Sequence, residues 1–265
     1  MKRKFLVIGN PIEHSLSPRL HNYWIKKNNL QASYEKRLLE KHEIQKLILD
    51  LKKGKIHGVN VTVPFKKTVI PFLDILSDEA KKTQSVNTIY KKKNKIVGDN
   101  TDVEGFKTGL EITKQTITNK TVLILGAGGV VPSIIIALKK MQVAKIYLSN
   151  RTELKALEVK KLFPDIEIIE WGKITNFDLI INATSIGLKK KDEINIDYKN
   201  IIQNKFFYDV IYNPKETFFL KKAKKFGAFT ENGKMMFIYQ AQKAFLIWHN
   251  ILPIVDDETV NLLDI

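Results

Sequence analysis

Two hydrophobic patterns alternate along the chain. Short apolar runs, or apolar residues at every second position, indicate strands, whereas apolar residues three and four positions apart indicate amphipathic helices. The expected strands are residues 5–9, 33–38, 59–63, 85–90, 95–99, 121–125, 144–148, 166–169, 179–182 and 206–210. The expected helices are residues 18–29, 41–53, a short one from 64, 102–112, 134–141, 152–163, 216–226, 234–249 and 256–263. Strands that alternate with helices predict an α/β fold with a mostly parallel sheet.

Local signals mark where several of these elements begin. Ser17 is a good N-cap and the proline after it suits the first helical position. Thr101 or Asp102 is placed to cap the helix that follows, and Thr152 caps another. The strands 85–90 and 95–99 flank a short polar turn, which predicts a hairpin.

The stretch GVNVTVPFK at 58–66 is a two-faced strand that ends at a proline. Its valines can face a core, so Asn60 and Thr62 must point together towards something polar. Pro64 suits the first turn of a helix, which places Lys66 at the positive end of the helix dipole. A lysine in that position releases its proton more readily, which suits acid–base chemistry. A solvated lysine after an edge strand is the alternative, and partners from other segments decide between the two.

A glycine turn, GAGG at 126–129, follows the all-apolar strand 121–125 and precedes an apolar helix. Backbone N–H groups and the helix dipole make such a turn a cradle for phosphate. Val131 stands where the strict dinucleotide fingerprint has a third glycine. A turn that only fits a helix close to a strand is the alternative, but the strand and helix lie on the correct sides for a dinucleotide site.

The end of the next strand favours NADP over NAD. An NAD enzyme usually places a carboxylate there to accept from the ribose 2′-hydroxyl. This chain has Asn150, Arg151 and Thr152, with Lys155 one short turn further on. Arg151 can clamp a 2′-phosphate and stack on the adenine, whereas a carboxylate would repel the phosphate. The alternative is that Arg151 only decorates a helix start.

Charge is the most unusual feature of the composition. Lysine and arginine number 44 against 28 aspartates and glutamates, a formal net charge of +16. Such a balance suits nucleic acid or small anions. However, the lysines are scattered, and there is no zinc-ligand spacing and no aromatic RNA-binding motif. We therefore favour a generally lysine-rich surface and expect no nucleic-acid partner.

The remaining composition excludes several kinds of chemistry. The chain has no cysteine, which excludes disulfides and thiolate catalysis, and its five histidines lack metal-binding spacing, so we expect no metal. The first residues begin like a signal peptide, but the apolar run stops at Gly9 and is too short for one. No apolar run approaches membrane-spanning length. We expect a cytoplasmic protein with no membrane partner.

Over nearly its whole length the chain resembles the shikimate dehydrogenase family. The resemblance rests on motifs that occur in the same order. They are GNPIEHSLSPRLHN at 9–22, NVTVPFK at 60–66, SVNT at 85–88, GDNTD at 98–102, GAGG at 126–129, NRT at 150–152, NATSIG at 182–187, DVIYNP at 209–214 and the helix from Gly233 through Gln240. One such motif is a weak signal, but the full ordered set is specific.

The resemblance implies both an activity and a domain organisation. The activity is the reversible NADPH-dependent reduction of 3-dehydroshikimate to shikimate, in the pathway to chorismate and the aromatic amino acids. The implied fold has an α/β substrate domain, residues 1–102 plus 233–265, and a Rossmann-like NADP-binding domain, residues 103–232. The active site is expected in the cleft between them.

The family's site residues carry over position by position. Lys66 and Asp102 are the implied catalytic pair. The implied substrate-binding residues are Ser15, Ser17, Asn60, Thr62, Asn87, Asp102, Tyr212 and Gln240. The implied NADP-binding residues are Gly126, Ala127, Gly128, Gly129, Val130, Asn150, Arg151, Thr152, Lys155, Thr184, Val210 and Gly233.

The implied roles are chemically reasonable. Reduction of the C3 ketone puts negative charge on its oxygen, which Lys66 neutralises as a general acid and takes back as a base in reverse. Asp102 bonds the neighbouring hydroxyl and pairs with the lysine. The serine hydroxyls, Ser15 and Ser17, hold the substrate carboxylate.

Some alternatives remain open. One is a quinate/shikimate dehydrogenase with broader substrate or cofactor use, and another is a non-catalytic dinucleotide-binding relative. Val131 and Pro132 depart from the family pattern after the glycine turn, and one N–H fewer could weaken diphosphate binding. A homodimer is compatible with the sequence, which does not itself reveal the oligomeric state.

Overall fold

The chain folds into two compact units, each with its own sheet. The computed structural model describes residues 2–174, 176–189, 192–196, 198 and 205–264. Unit 1 comprises Met1–Gly105 and Ile238–Ile265, and unit 2 comprises Phe106–Phe237. None of the helices in the described part of the chain has the length and apolar character that a bilayer crossing requires.

Unit 1 is built on a mixed sheet with the strand order β2-β1-β3-β5-β6-β4. Its strands are β1 (Arg3–Gly9), β2 (Ala32–Leu38), β3 (Gly58–Val61), β4 (Ile75–Leu76), β5 (Thr88–Lys92) and β6 (Lys95–Asp99). Its helices are α1 (Ser17–Lys27), α2 (Ile44–Lys52), α3 (Asp78–Thr83) and α9 (Asp257–Asn261), and the helices α4 (Asp102–Glu111) and α8 (Lys234–His249) each have one end in it. The pairs β1/β2, β1/β3 and β4/β6 are parallel, whereas β3/β5 and β5/β6 are antiparallel. The expected hairpin is therefore confirmed as β5 and β6.

β3 lies in the interior of its sheet and contributes to the core of unit 1. Every residue of β3 is buried, because helices cover the sheet where the strand crosses it. Val59 and Val61 belong to one apolar cluster with the inner faces of β1 and α2. Asn60, on the opposite face, is only 7% exposed. A buried amide must find hydrogen-bond partners, and this requirement shapes the candidate site.

The predicted continuation of β3 is wrong. The strand ends at Val61, and Val63 is 62% exposed rather than part of the core. The Phe65 N–H donates to the Thr62 carbonyl, which closes a turn where a helix was expected. The Lys66 carbonyl accepts from the Val86 N–H, so it bonds to the segment before β5 and not to a following helical turn. Regular structure resumes only in a short 3₁₀ turn at Ile70–Phe72.

Two predicted helix caps are also replaced by neighbours. Ser17 is already helical, and the N-cap position is Leu16. The first turn of α4 is capped by Asn100, whose Oδ1 accepts from the N–H groups of Asp102 and Val103. An Asn side chain two residues before a helix start competes well for these donors, and the sequence signal for it was present.

Unit 2 is a fully parallel sheet with helices between its strands. The strands are β7 (Thr121–Leu125), β8 (Lys145–Ser149), β9 (Glu167–Ile169), β10 (Leu179–Asn182), β11 (Phe206–Asp209) and β12 (Phe229–Glu231), and the helices are α5 (Val131–Lys140), α6 (Glu153–Leu162) and α7 (Phe218–Lys225). The strand order β12-β11-β10-β7-β8-β9 places the first strand of the unit, β7, at the middle of the sheet. This is the doubly wound order of the Rossmann fold, with the reversal between β7 and β10.

The central strands of unit 2 follow from their composition. β10 is buried at every residue, and β7 at every residue after Thr121. Continuous apolar runs of this kind are expected of strands covered on both faces. The elements that sequence patterns did not predict are all short: β4, β12 and α3. They have two, three and six residues and show no clear period in the sequence.

Candidate active site

Lys66 and Asp102 form an ion pair in unit 1. The Lys66 Nζ lies 2.5 Å from the Asp102 Oδ2, and the side chains are 13% and 7% exposed. Asp102 is the first residue of α4, and Lys66 lies in the turn after β3. The helix dipole argument for Lys66 does not apply because no helix begins at Pro64. The charged group that contacts the Lys66 ammonium is instead the carboxylate of Asp102.

Asn87 holds the other oxygen of Asp102. Its Nδ2 donates to the Asp102 Oδ1 at 2.8 Å and to the Thr101 Oγ1 at 2.9 Å. Its Oδ1 accepts from the Thr101 N–H at 2.8 Å. Both carboxylate oxygens of Asp102 therefore have a fixed partner, and the carboxylate is positioned before any substrate arrives. Gln240, in α8, joins this group because its Oε1 lies 3.4 Å from the Asn87 Nδ2.

Asn60 connects to the same group from β3. Its Nδ2 donates to the Asn87 carbonyl at 3.1 Å and to the Thr88 Oγ1 at 3.0 Å. Its Oδ1 accepts from the Tyr34 hydroxyl at 2.7 Å. Thr62 was expected to share this polar face but lies beyond the end of the strand, where it is half-buried.

The serine pair precedes and opens α1. The Ser15 Oγ accepts from the Ser17 N–H at 3.4 Å, so the first serine supports the turn that carries the second. Ser17 is 7% exposed, and its side chain lies beside the buried hydroxyl of Tyr34, where it opposes the rise that burial causes in the pKa of Tyr34. Unit 1 therefore joins Tyr34, Asn60, Asn87 and the Lys66–Asp102 pair in one hydrogen-bonded network, and the serine pair lies beside its Tyr34 end.

The expected NADP residues all lie in unit 2 after the carboxyl ends of its parallel strands. They follow β7 (Gly126, Ala127, Gly128, Gly129, Val130), β8 (Asn150, Arg151, Thr152, Lys155), β10 (Thr184), β11 (Val210) and β12 (Gly233). In doubly wound sheets, ligands bind at this edge of the sheet. The structure therefore groups these residues where a dinucleotide would bind.

The glycines of this edge are required by the backbone. Gly126 has φ +108°, and a Cβ there would lie 2.8 Å from the Ala183 carbonyl oxygen. A Cβ at Gly233 would overlap the Val210 carbonyl oxygen. At Gly128, in contrast, the nearest atom to a Cβ is 3.9 Å away, and the residue is exposed. The first two glycines bring chain segments together, and Gly128 leaves room beside the start of α5 for a bound anion, which fits NADP.

The residues after β8 carry exposed positive charge. Arg151 and Lys155 are exposed on either side of the start of α6. Thr152 is at the predicted N-cap position, but its side chain makes no capping hydrogen bond. The Asn150 Nδ2 donates to the Thr152 carbonyl at 2.7 Å, which braces the turn. This basic, braced turn contains no carboxylate before Glu153 and suits a phosphorylated ribose.

Asp209 is a buried carboxyl group that sequence reasoning did not single out. Its Oδ1 accepts from the Asn182 Nδ2 and the Ile211 N–H, both at 3.0 Å, and its Oδ2 accepts from the Thr217 hydroxyl at 2.6 Å. Burial raises its pKa to about 6, against the opposing effect of these donors. Asp209 thereby braces the loop that carries Val210 and Tyr212, whose ring packs 4.6 Å from that of Phe237. A sequence signal for this site was present, because Asn182 and Asp209 are polar residues that each end a buried strand. The two strands are adjacent, and the two residues are paired in register.

Comparison with known proteins decides the family. A model described as "Shikimate dehydrogenase substrate binding domain" matches residues 7–89, and one described as "Shikimate / quinate 5-dehydrogenase" matches residues 109–214. The Pelagibacter ubique protein named "Shikimate dehydrogenase (NADP(+))" is 71% identical over 265 residues, which cover 100% of both chains. The chain belongs to the shikimate dehydrogenase family.

Solved structures of the shikimate dehydrogenase family agree. The Aquifex aeolicus shikimate dehydrogenase structure has a TM-score of 0.90 at 37% identity and covers 99% of this chain and 96% of its own. The Thermus thermophilus enzyme, solved in complex with NADP(H) and shikimate, has a TM-score of 0.89 at 28% identity over 98% of both chains. The family and the two-domain α/β fold expected from the sequence are confirmed.

Proposed function

We propose that this chain is an NADP-dependent shikimate dehydrogenase, which interconverts 3-dehydroshikimate and shikimate on the route to chorismate and the aromatic amino acids. The observation that carries the proposal is the Lys66–Asp102 pair, which is held in place by Asn87 within a network of amide and hydroxyl groups. A polyhydroxylated ring needs such partners, because a buried polar group without one costs roughly 1–3 kcal/mol. The 71% identity to a curated NADP⁺-dependent relative supports the same assignment.

Lys66 moves the proton in this proposal. In the direction of reduction it donates a proton from Nζ to the C3 oxygen as charge develops there, and in the direction of oxidation it removes the proton from the hydroxyl. Asp102 holds the ammonium group in place and accepts from the neighbouring hydroxyl of the substrate. When bound, NADP supplies the hydride donor or acceptor.

The substrate is bound by the polar groups of unit 1 in this assignment. Ser15 and Ser17 hold the carboxylate, since hydroxyl groups on a turn donate to it readily. The remaining groups that contact the ring are Asn60, Thr62, Asn87, Asp102 and Gln240 from unit 1, and Tyr212. We accordingly propose residues 1–102 and 233–265 as the substrate domain and residues 103–232 as the nucleotide domain, except that Tyr212 is assigned to the substrate and Gly233 to NADP.

The cofactor is bound by the strand ends of unit 2. The glycine turn at 126–129 and Val130 place backbone N–H groups at the start of α5 for the diphosphate. Arg151 and Lys155 pair with the 2′-phosphate, and Asn150 and Thr152 shape their turn. Thr184, Val210 and Gly233 line the remainder of the site in this assignment.

Quinate oxidation is the second candidate activity. The matching model over residues 109–214 covers both shikimate and quinate enzymes, and quinate shares the carboxylate and ring hydroxyls that the polar network would bind. A non-catalytic dinucleotide-binding relative is a poorer match, because such a protein has no need of the buried Lys66–Asp102 pair.

Optical measurement of NADPH formation tests these assignments. The purified chain is mixed with NADP⁺ and shikimate, then with NADP⁺ and quinate, and both pairs are repeated with NAD⁺. We expect rapid turnover with shikimate and NADP⁺ and much slower turnover in the other three mixtures. Turnover in none of them contradicts the enzyme proposal, and comparable rates with quinate favour the broader enzyme.

Two further assignments complete the proposal. We place the enzyme in the cytoplasm, where its substrate and NADP are made and used, and fractionation of the source cells tests this. We also propose a homodimer, which light scattering distinguishes from a monomer of 30.5 kDa.

A further inference from the structure

Tyr34 is a buried tyrosine of β2 that links two parts of the polar network. Its side chain is 2% exposed, and its hydroxyl donates to the Asn60 Oδ1 at 2.7 Å. Ser17 lies beside the same hydroxyl and lowers its pKa, although burial dominates and raises the pKa of Tyr34 well above its usual value. One hydroxyl group therefore joins the serine turn before α1 to the amide on β3.

The direction of each hydrogen bond around Tyr34 is fixed by its neighbours. The Asn87 carbonyl can only accept, so the Nδ2 of Asn60 must face it and the Oδ1 must face Tyr34. That Oδ1 also only accepts, which makes Tyr34 the donor. The Tyr34 oxygen keeps its lone pairs and can accept from the hydroxyl of Ser17 beside it. The Asn60 amide is thus held at its Nδ2 by the Asn87 carbonyl and at its Oδ1 by the Tyr34 hydroxyl.

The ring of Tyr34 is itself held in place by His21. The two rings stack with their centroids 4.2 Å apart and their planes 1° apart. His21 is 1% exposed, and burial lowers its pKa to about 3, so it is an uncharged ring at neutral pH. Flat stacking between two buried rings leaves the Tyr34 hydroxyl little freedom to move.

We propose that Tyr34 is a positioning residue for substrate binding, whose hydroxyl holds Ser17 and Asn60 in the arrangement that receives shikimate. The proposal rests on the proposed function, which assigns both residues to the substrate. Tyr34 acts through these two side chains. A hydroxyl proton rotates freely about its Cβ–Oγ bond, so Ser17 can turn its proton from Tyr34 to an incoming carboxylate without moving its backbone.

The Tyr34→Phe variant tests the proposal, because it removes the hydroxyl and keeps the stacked ring. A hydrogen bond is worth about 0.5–1.5 kcal/mol, so we expect KM for shikimate to rise about two- to twelvefold. Since this binding is shared by ground and transition states, kcat should stay within about twofold of wild type. KM for NADP⁺ should not change, because Tyr34 and its partners belong to unit 1.

Tyr208→Phe is the matched control. The Tyr208 hydroxyl is also fully buried, in unit 2, and has no hydrogen-bond partner within the described residues. Its removal should leave both KM values at the wild-type level. A folded Tyr34→Phe variant with wild-type KM for shikimate, or with an equal rise in both KM values, overturns the proposal.

A second variant covers the case in which Tyr34→Phe does not fold. Thr88→Val keeps the shape of a β-branched strand residue and removes the hydroxyl that accepts from the Asn60 Nδ2. It should give the same selective rise in KM for shikimate, and an unchanged value overturns the proposal. A wild-type chain that does not oxidise shikimate overturns the proposed function itself, whereas an active wild type with unaffected variants overturns only the role of Tyr34.

Discussion

The Asn87 Nδ2 lies 2.8 Å from the Asp102 Oδ1, on the side of the carboxylate opposite Lys66. Each carboxylate oxygen of Asp102 is therefore bonded to a residue from a different segment of unit 1, Oδ1 to Asn87 and Oδ2 to Lys66. A carboxylate with two fixed partners cannot rotate away from the lysine, and in this arrangement the position of the proton-transferring group is set by the folded protein. Replacement of Lys66 or of Asn87 should therefore impair the site in different ways.

Replacement of Lys66 by methionine should abolish most of the activity. Loss of a general acid–base group typically costs about 10²–10⁴-fold in rate, and we expect kcat for shikimate oxidation to fall by at least about 100-fold. Lys67→Met is the matched control, because Lys67 is the adjacent lysine and is exposed. Steady-state kinetics at saturating NADP⁺ measure the effect. A Lys66→Met enzyme with wild-type kcat would show that Lys66 does not transfer the proton.

Replacement of Asn87 by alanine should reduce both activity and stability. The variant leaves the Asp102 Oδ1 and the Thr101 N–H without their partner in a buried site, which costs roughly 1–3 kcal/mol for each group. Urea unfolding measures the loss of stability, and kcat/KM measures the loss of positioning. Gln45→Ala, at an exposed amide on α2 of the same unit, should change neither quantity appreciably. If Asn87→Ala matched the wild type in kcat/KM, the grip on Asp102 would be unnecessary for catalysis.

Replacement of Arg151 by alanine should weaken NADP⁺ selectively. A bidentate or charge-assisted contact to a phosphate is worth about 1.5–3 kcal/mol, so KM for NADP⁺ should rise about ten- to hundredfold. NAD⁺ lacks the 2′-phosphate and serves as the internal control, with an almost unchanged KM. Kinetics with both cofactors at saturating shikimate give the ratio. An equal change for the two cofactors would rule out contact between Arg151 and the 2′-phosphate.

Asp209 should make unit 2 less stable as the pH rises. Burial raises its pKa from 3.8 to about 6 in the folded chain, so between these values the unfolded chain has lost a proton that the folded chain keeps. The free energy of unfolding therefore falls as pH rises from about 4 to 6, and levels off above. Unfolding of wild type and Asp209→Asn across this range measures the contribution of this group, with an expected difference on the order of 1–3 kcal/mol. Parallel pH curves for the two proteins would contradict it.

His249 should make unit 1 less stable as the pH falls. Burial, with a smaller contribution from Arg3, lowers its pKa from 6.5 to about 4, and its Nδ1 lies 3.1 Å from the Arg3 Nη2. Its contribution to stability is complete above about pH 6.5 and is lost as pH falls towards 4, where the folded chain must accept a buried charge. The His249→Gln variant, which can still accept from Arg3, should lose less stability over this range. A wild-type curve no steeper than that of the variant would exclude this role.

Sequence patterns predicted most of the secondary structure of unit 2, and the reason is local. β7 and β10 are continuous apolar runs, and the glycine turn before α5 has a chemical signature within a few residues. The expected NADP residues group together because they follow successive parallel strands, and parallel strands place their carboxyl ends at one edge. In such a fold, the order of elements along the chain already decides which loops become neighbours.

The stretch from β3 to Lys66 shows where local patterns fail. Alternation continues through Val63 in the sequence, but the strand ends at Val61, although the Val63 carbonyl still accepts from the Asn10 N–H. Lys66 lies in the turn that follows, and its carbonyl accepts from the Val86 N–H. No local sequence pattern links these two residues. The hydrophobic period of a strand identifies which of its faces is buried. It does not identify which distant residues form hydrogen bonds with the strand.

The sequence alone determined the family, the α/β class, the glycine turn, the basic turn after β8 and the presence of Lys66 and Asp102. The tertiary structure decided which groups hold them: Asn87 on Asp102, Tyr34 on Asn60, and Asn182 on Asp209. These partners are 15 to 27 residues apart in the sequence, so no helical or strand period connects them. Buried polar groups must be satisfied, and only the folded chain shows which partner satisfies each one.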